Sequence, residues 1–393
     1  MNEISRRDVI GGAALAGGLT VAAAAGVAVP AAAATTTAAP AAPAMNQSPR
    51  PVEPLPSFRY SLGDKPKQKE YPGGWAKEAN VHNFPASENF AGVLMYLEPG
   101  GLRELHWHAN AAEWAYVLEG TCRITIIDPQ GKSQTVDFTA GDVWYFPRGY
   151  GHSIQGLGPS GTTFVLVFNN GGFSEFGTFS ITDWVGHTPP EVLAKNFKVP
   201  ASTFANFPKE EVYIALGPVP PALPAFAPPG TLDSAPLTHR YPLLAEKPTL
   251  YPGGTLRLVS EREFPISFNM TGALITLEPG AMREMHWHPN ADEWQLYLGG
   301  TAQMTVFGAG GRAETQRFGR YDVGYAPRGY GHYIENVGDD EMTVLLVLNS
   351  GDYQEISISE WLASNKPELL ATNFEVPVST FADFPKTEVF IDK

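Results

Sequence analysis

Six of the nine histidines stand in two blocks of identical spacing: His106-x-His108-x4-Glu113 followed by His152, and His286-x-His288-x4-Glu293 followed by His332. On a strand, residues i and i+2 point to one face, so each His-x-His pair sends two imidazoles to the same side, with Trp107 or Trp287 facing the other. A glutamate from the next strand and a third histidine from a later one complete a shell of three nitrogens and one oxygen. Such a shell suits Mn, Fe, Zn, Ni or Co. Structural zinc sites usually use thiolates, and the single cysteine, Cys122, can supply neither a thiolate cluster nor an intramolecular disulfide.

Two arginines stand close to these ligands. Arg103 and Arg283 each precede the first histidine of their block by three residues. An arginine beside a divalent cation makes a two-point trap for a small dicarboxylate. An odd separation, however, turns the arginine to the opposite face of a regular strand unless the chain bends.

The elements that must position these groups are written twice. Shifting the sequence by 180 residues aligns Tyr71-Pro72-Gly73-Gly74 with Tyr251-Pro252-Gly253-Gly254, LEPGGLRELHWHANAAEW with LEPGAMREMHWHPNADEW, and PRGYGH from Pro147 with PRGYGH from Pro327. Beyond Asp352 the offset falls to 177, aligning Trp184 with Trp361, so three residues are missing from the second copy between Asp352 and Trp361. A period this long means two domains, each enclosing its own core. They are expected at 58–215 and 234–393, joined by a Pro-rich connector, 216–233.

Gly (40) and Pro (35) are abundant in the 393 residues, which favours short strands joined by turns. Cys122–Ile127 alternates as a strand before the Asp128–Gly131 turn, and Phe164–Phe168 and Val344–Leu348 are short apolar runs of the kind that buried barrel strands carry. The fold class is therefore all-β, two tandem copies that each form a small closed barrel or jelly roll. Helices are expected at Pro190–Phe197 and Lys366–Phe374, where a Pro start precedes Val, Leu and Phe at helical spacing.

The pattern G-x5-H-x-H-x4-E-x6-G fits Gly100–Gly120 and Gly280–Gly300, and G-x5-P-x-G-x2-H-x3-N fits Gly141–Gly156 and Tyr321–Asn336, with Gly156 in place of Asn and Tyr321 in place of the opening Gly. These resemble the two cupin motifs, and two copies make a bicupin. RELHWH from Arg103 and REMHWH from Arg283 resemble the bicupin oxalate decarboxylase family. That resemblance implies Arg103 and Arg283 reaching into the pockets toward oxalate, and two Mn ions per chain with dioxygen as co-catalyst. It implies metal ligation by His106, His108, Glu113, His152, His286, His288, Glu293 and His332. It also implies a lid acid/base, Glu175 in Ser174-Glu175-Phe176-Gly177-Thr178, that turns oxalate into formate and CO2. Without a working lid carboxylate the same site implies oxalate oxidase activity, giving peroxide and CO2. A storage-type bicupin without catalysis, or an oxygenase acting on flavonols, is the remaining alternative.

The second copy lacks part of the lid region and has Leu346 where related decarboxylases carry another glutamate, leaving Glu355 as its substitute. Turnover is expected mainly in the first domain. The resemblance further implies a homo-oligomer, a trimer or hexamer.

The N-terminus reads as an address. Ser5-Arg6-Arg7-Asp8-Val9-Ile10 precedes an uncharged Ala/Gly run and A-x-A sites before Ala34, resembling a twin-arginine export signal over 1–34 followed by a disordered linker over 35–57. Cleavage and export are expected, with no stable membrane anchor. A net charge of −14 argues against sequence-independent binding to nucleic acid or anionic lipid.

Overall fold

The computed structural model describes residues 53–173, 177–223 and 238–393. The leader 1–34, the lid residues Ser174, Glu175 and Phe176, and the larger part of the connector lie outside the described residues.

Strands dominate, as composition led us to expect, and each sequence copy folds as two curled antiparallel sheets. In the first copy one 15-residue strand, Glu113–Ile127, belongs to both sheets: its first half pairs with Val143–Phe146 and Thr162–Phe168, its second half with Ser133–Thr139 and Gly151–Gly156. In the second copy the corresponding run is split into Glu293–Gly299 and Ala302–Gly308, so the two sheets separate. The break falls at Gly299-Gly300; Gly300 takes φ +75° much as Gly120 takes +78° in the unbroken strand, and Gly299 replaces Glu119 of the first copy.

Each barrel borrows a strand from the other copy. Arg59–Ser61 pairs with Asp322–Ala326 of the second barrel, and Arg240–Tyr241 pairs with Val143–Phe146 of the first. Both exchanged strands are clasped by the same chemistry. Arg59 bonds Asp322 at 2.8 and 3.1 Å, and Arg240 bonds Asp142 at 2.9 and 3.0 Å. Nothing in the boundaries 58–215 and 234–393 anticipates this exchange, because two- and three-residue strands carry no periodic signal.

The interior of the first barrel is an apolar cluster that includes Val93, Val117, Ile124, Phe164 and Ile154. A second cluster fills the other barrel and continues across the contact between the two, through Trp114, Tyr116, Val165, Leu274 and Trp294. The motif departures are absorbed locally. Tyr321 keeps the left-handed backbone, φ 63°, that Gly141 takes at φ 91°, and Asn336 bonds the Leu277 and Asp340 carbonyls where Gly156 lets the chain close on Glu98.

Helices occur at Pro190–Phe197 and Pro367–Phe374, each with Pro in its first turn. Two shorter ones escaped the sequence reading: Ile181–Gly186, capped by Ser180, and Ile358–Ala363, capped by Ser357. Among the described residues no helix is long and apolar enough to cross a membrane.

Candidate metal centre

The first centre is built on the pairing of two strands. Gly101–His108 carries His106 and His108, and Gly151–Gly156 carries His152 directly opposite His106. Glu113 opens the long strand beside them. Between Arg103 and His106 the register shifts: Arg103 faces Ile154 and His106 faces His152, so three residues on one strand span two on its partner. This β-bulge reverses the alternation, and Arg103 is buried on the same face as the two histidines. The second copy has the same shift between Arg283 and His286. The bend that strand parity demanded is therefore present twice.

His106, His108, Glu113 and His152 bring one ligand atom each within 4.8 Å of one another, and so do His286, His288, Glu293 and His332. All eight are buried. The Nδ1 atoms face outward to acceptors that orient each ring: His106 donates to the Glu104 carbonyl at 2.6 Å, His152 to that of Tyr150 at 2.9 Å, His286 to that of Glu284 at 2.7 Å and His332 to that of Tyr330 at 3.1 Å. With Nδ1 so engaged, Nε2 is left to bind a cation.

Burial pushes His106 well below the usual histidine range, helped by the Arg103 charge, and brings His108 down to about 4. Burial alone would raise Glu113, but His152 and His108 around it hold it well below the usual carboxylate range. His106 and His108 are thus neutral, and Glu113 is a carboxylate, at neutral pH. The fit to a metal rests on one further observation: His108 Nε2, His152 Nε2 and Glu113 Oε2 are buried with no hydrogen-bond partner, although the two Nε2 atoms lie 3.1 and 3.4 Å from that oxygen. Buried polar atoms left in this state are costly, and a shared divalent cation satisfies all three.

The next layer differs between the centres. Glu113 Oε1 accepts from the Trp144 indole at 2.7 Å, whereas Glu293 Oε1 accepts from Gln295 at 2.7 Å, itself held by the Tyr297 hydroxyl at 2.7 Å. The exchange is sterically paired. Trp144 stands opposite Ala115, and Gln295 stands opposite Gly324, where a Cβ would come within 2.3 Å of the amide oxygen.

Arg103 opens onto a polar cavity of about 200 Å³ that also exposes His106, His108, Phe173, Thr178 and Lys69. Its guanidinium donates to the Tyr213 carbonyl at 3.1 Å and lies 3.9 Å from the centre of that ring. Tyr213 takes a left-handed φ of 60°, fixed by its N–H donating to buried Glu104 at 2.8 Å. Lys69 sits 4.1 Å from the same ring and is ion-paired at 3.0 Å with Glu78, which lines the same cavity. Sequence reasoning missed Glu104, Tyr213 and Lys69. The Glu that follows each Arg in both copies was a signal available for the first, and Glu284 repeats it by accepting from the Phe390 N–H at 2.7 Å.

In the second centre Arg283 is buried and ion-paired with Glu355, which also accepts from the Tyr353 hydroxyl. Burial would lower Arg283, but Tyr353 and Glu355 hold it above the usual arginine range. Glu355 is therefore a partner of Arg283. Glu175 itself lies outside the described residues. Trp107 and Trp287 pack outside the barrels, against Phe179 and Trp184 and against Trp361.

Two jelly-roll barrels in one chain, each enclosing a buried three-histidine, one-glutamate centre, define a metal-binding bicupin. The cupin family matches residues 60–203 and 242–380. The chain is 44% identical over 307 residues to the oxalate decarboxylase OxdC of Bacillus subtilis, covering 78% of this chain and 79% of that protein. It is 34% identical to a probable oxalate decarboxylase of Arthroderma benhamiae over 339 residues, 86% and 83% of the two chains. The crystallised Bacillus subtilis enzyme at pH 4.6 superposes with a TM-score of 0.81 at 40% identity, over 87% of this chain and 89% of that one. That enzyme has Mn(II) centres. This chain belongs to the bicupin oxalate decarboxylase family.

Proposed function

We propose that the chain is a manganese-dependent oxalate decarboxylase, releasing CO2 and formate, with its main site in the first barrel. The observation that carries this reading is the opening of Arg103 and the ligand cluster onto one small polar cavity. A guanidinium and a cation facing each other there bind an anion with a carboxylate at each end.

His106, His108, Glu113 and His152 would hold the ion, which when bound supplies one-electron exchange with oxalate and dioxygen. The rest is work for the chain's own residues. Arg103 anchors the substrate and keeps its charge fixed as the carbon–carbon bond breaks. Glu175 takes the carboxyl proton of hydrogen oxalate and returns it to the carbon that has lost CO2, so that hydrogen oxalate becomes CO2 and formate with no net oxidation. The second ion serves chiefly as structure.

We further propose that residues 1–34 export the folded chain and are removed, on the strength of the twin arginine. Self-association into a trimer or hexamer is supported by exposed apolar residues at matching places on the two pairs of helices, Trp184 and Phe197 in one copy and Trp361 and Phe374 in the other.

A paired product assay on manganese-loaded protein at mildly acidic pH tests the function. Formate without peroxide is expected, and Glu175→Ala should lose formate production while keeping its manganese. Peroxide with CO2 would make the protein an oxidase.

A further inference from the structure

The two centres differ most where the second copy is shorter. In the first, Thr178 and Ser180 lie across from His108 and His106; in the second, Ile356 and Ser357 lie across from Trp287 and His286. This register carries Glu355 to the position that Thr178 holds. On the other side of the gap, the rings of Phe173 and Tyr353 stand 5.9 and 5.5 Å from His108 and His288. Four residues, 174–177, join Phe173 to Thr178, and Gln354 alone joins Tyr353 to Glu355. The three-residue deletion therefore removes the lid and, at the residue after the gap, sets a carboxylate where the first site has a hydroxyl.

That carboxylate is not idle. Glu355 lies on Arg283, with its side chain 9% exposed and the arginine's 1%. Tyr353 donates to the same oxygen. Arg283 is otherwise arranged as Arg103 is, donating to the Phe390 carbonyl at 3.1 Å and lying 3.7 Å from the centre of that ring. The two arginines thus sit on equivalent shelves, Tyr213 and Phe390, beside equivalent ligand sets. Among the described residues, only the second is ion-paired with a carboxylate. Glu388 stands near this carboxylate, and burial together with Glu355 pushes it up to about 8. Lys69 and its ion-pair partner Glu78 in the first cavity are Thr249 and Leu258 at the aligned positions.

We propose that Glu355 is a built-in occupant of the second anion pocket: it takes on Arg283 the place that a substrate carboxylate takes on Arg103. The chain then holds two metals and binds one oxalate. This rests on the reading of Arg103 as the substrate's anchor.

Titration calorimetry of oxalate into the full manganese-loaded chain without oxygen, with manganese per chain measured in parallel, tests the proposal. One oxalate per chain is expected for wild type and two for Glu355→Thr, which installs the first site's residue. Glu355→Gln keeps size and hydrogen bonding and removes only the charge, so it should also admit a second oxalate should the threonine variant fold poorly. Two oxalates bound by wild type, or one still bound by a folded Glu355 variant holding both metals, would overturn the proposal. No binding by wild type but one oxalate by the variant would support the plug and overturn the reading of the first site; no binding by either would overturn both.

Discussion

The indole of Trp114, on the first barrel, lies over Gly272 of the second so closely that a Cβ on that glycine would be 2.1 Å from Cζ2. The relation is reciprocal, since Trp294 lies over Gly92 with a corresponding 2.2 Å. Both indoles are fully buried, and each immediately follows a metal-ligating glutamate. The contact between the barrels therefore bears directly on the strands that carry Glu113 and Glu293. Gly272→Ala or Gly92→Ala should cost about 1–3 kcal/mol through overpacking, read as a lower Tm in thermal unfolding. An unchanged Tm would show that the barrels separate without strain.

Arg103 and Arg283 should fail differently. Arg103→Lys keeps a charge in the cavity but loses the planar fork on the Tyr213 shelf, so the KM for oxalate should rise by roughly tenfold or more with Tm almost unchanged. Arg283→Lys leaves buried Glu355 poorly bonded, so its cost should appear in Tm, by about 1–3 kcal/mol. Steady-state kinetics and unfolding on both variants separate the roles.

The indole of Trp144 supports Glu113 alone. Trp144→Phe removes that donor and should weaken metal binding at the first centre by about 10- to 100-fold while leaving the second intact. Manganese retained during competition with a chelator should fall by one ion per chain. Gln295→Leu should produce the complementary loss.

Metal-free protein should lose stability on acidification. His108 is held down to about 4, whereas an unfolded histidine titrates near 6.5, so between these values the unfolded chain binds a proton that the native chain refuses. Stability must fall as pH drops through that window, by up to about 3 kcal/mol from this residue. Glu113, held low, adds a loss of the same sign at lower pH. Unfolding of metal-free protein between pH 7 and 4 measures the slope, and a flat profile would contradict the burial of these ligands.

Cys122 is buried inside the first barrel, and burial pushes its thiol well above the usual cysteine range. Thiol reagents should leave native protein unmodified and label one site per chain after denaturation.

Much of the centre was legible in the residues. The duplication and the His-x-His spacing needed nothing beyond strand alternation, because residues i and i+2 are related by local geometry alone. The two longer helices were legible from their Pro starts and apolar spacing. The capped helices at Ile181–Gly186 and Ile358–Ala363 were not, since six residues show too little of a 3.6-residue period.

What the sequence determined by itself was the set of donors: which eight residues could share two cations, and that the work would be done twice. What tertiary structure decided was orientation and access. The bulge that returns Arg103 to the histidine face exists only in the pairing with Gly151–Gly156. The exchange of Arg59–Ser61 and Arg240–Tyr241 depends on Asp322 and Asp142, each far along the chain. The contact of Glu355 with Arg283 depends on where a three-residue deletion falls against a strand register. Each is a relation between distant segments, and alternation along one strand cannot report which residue of another strand lies opposite.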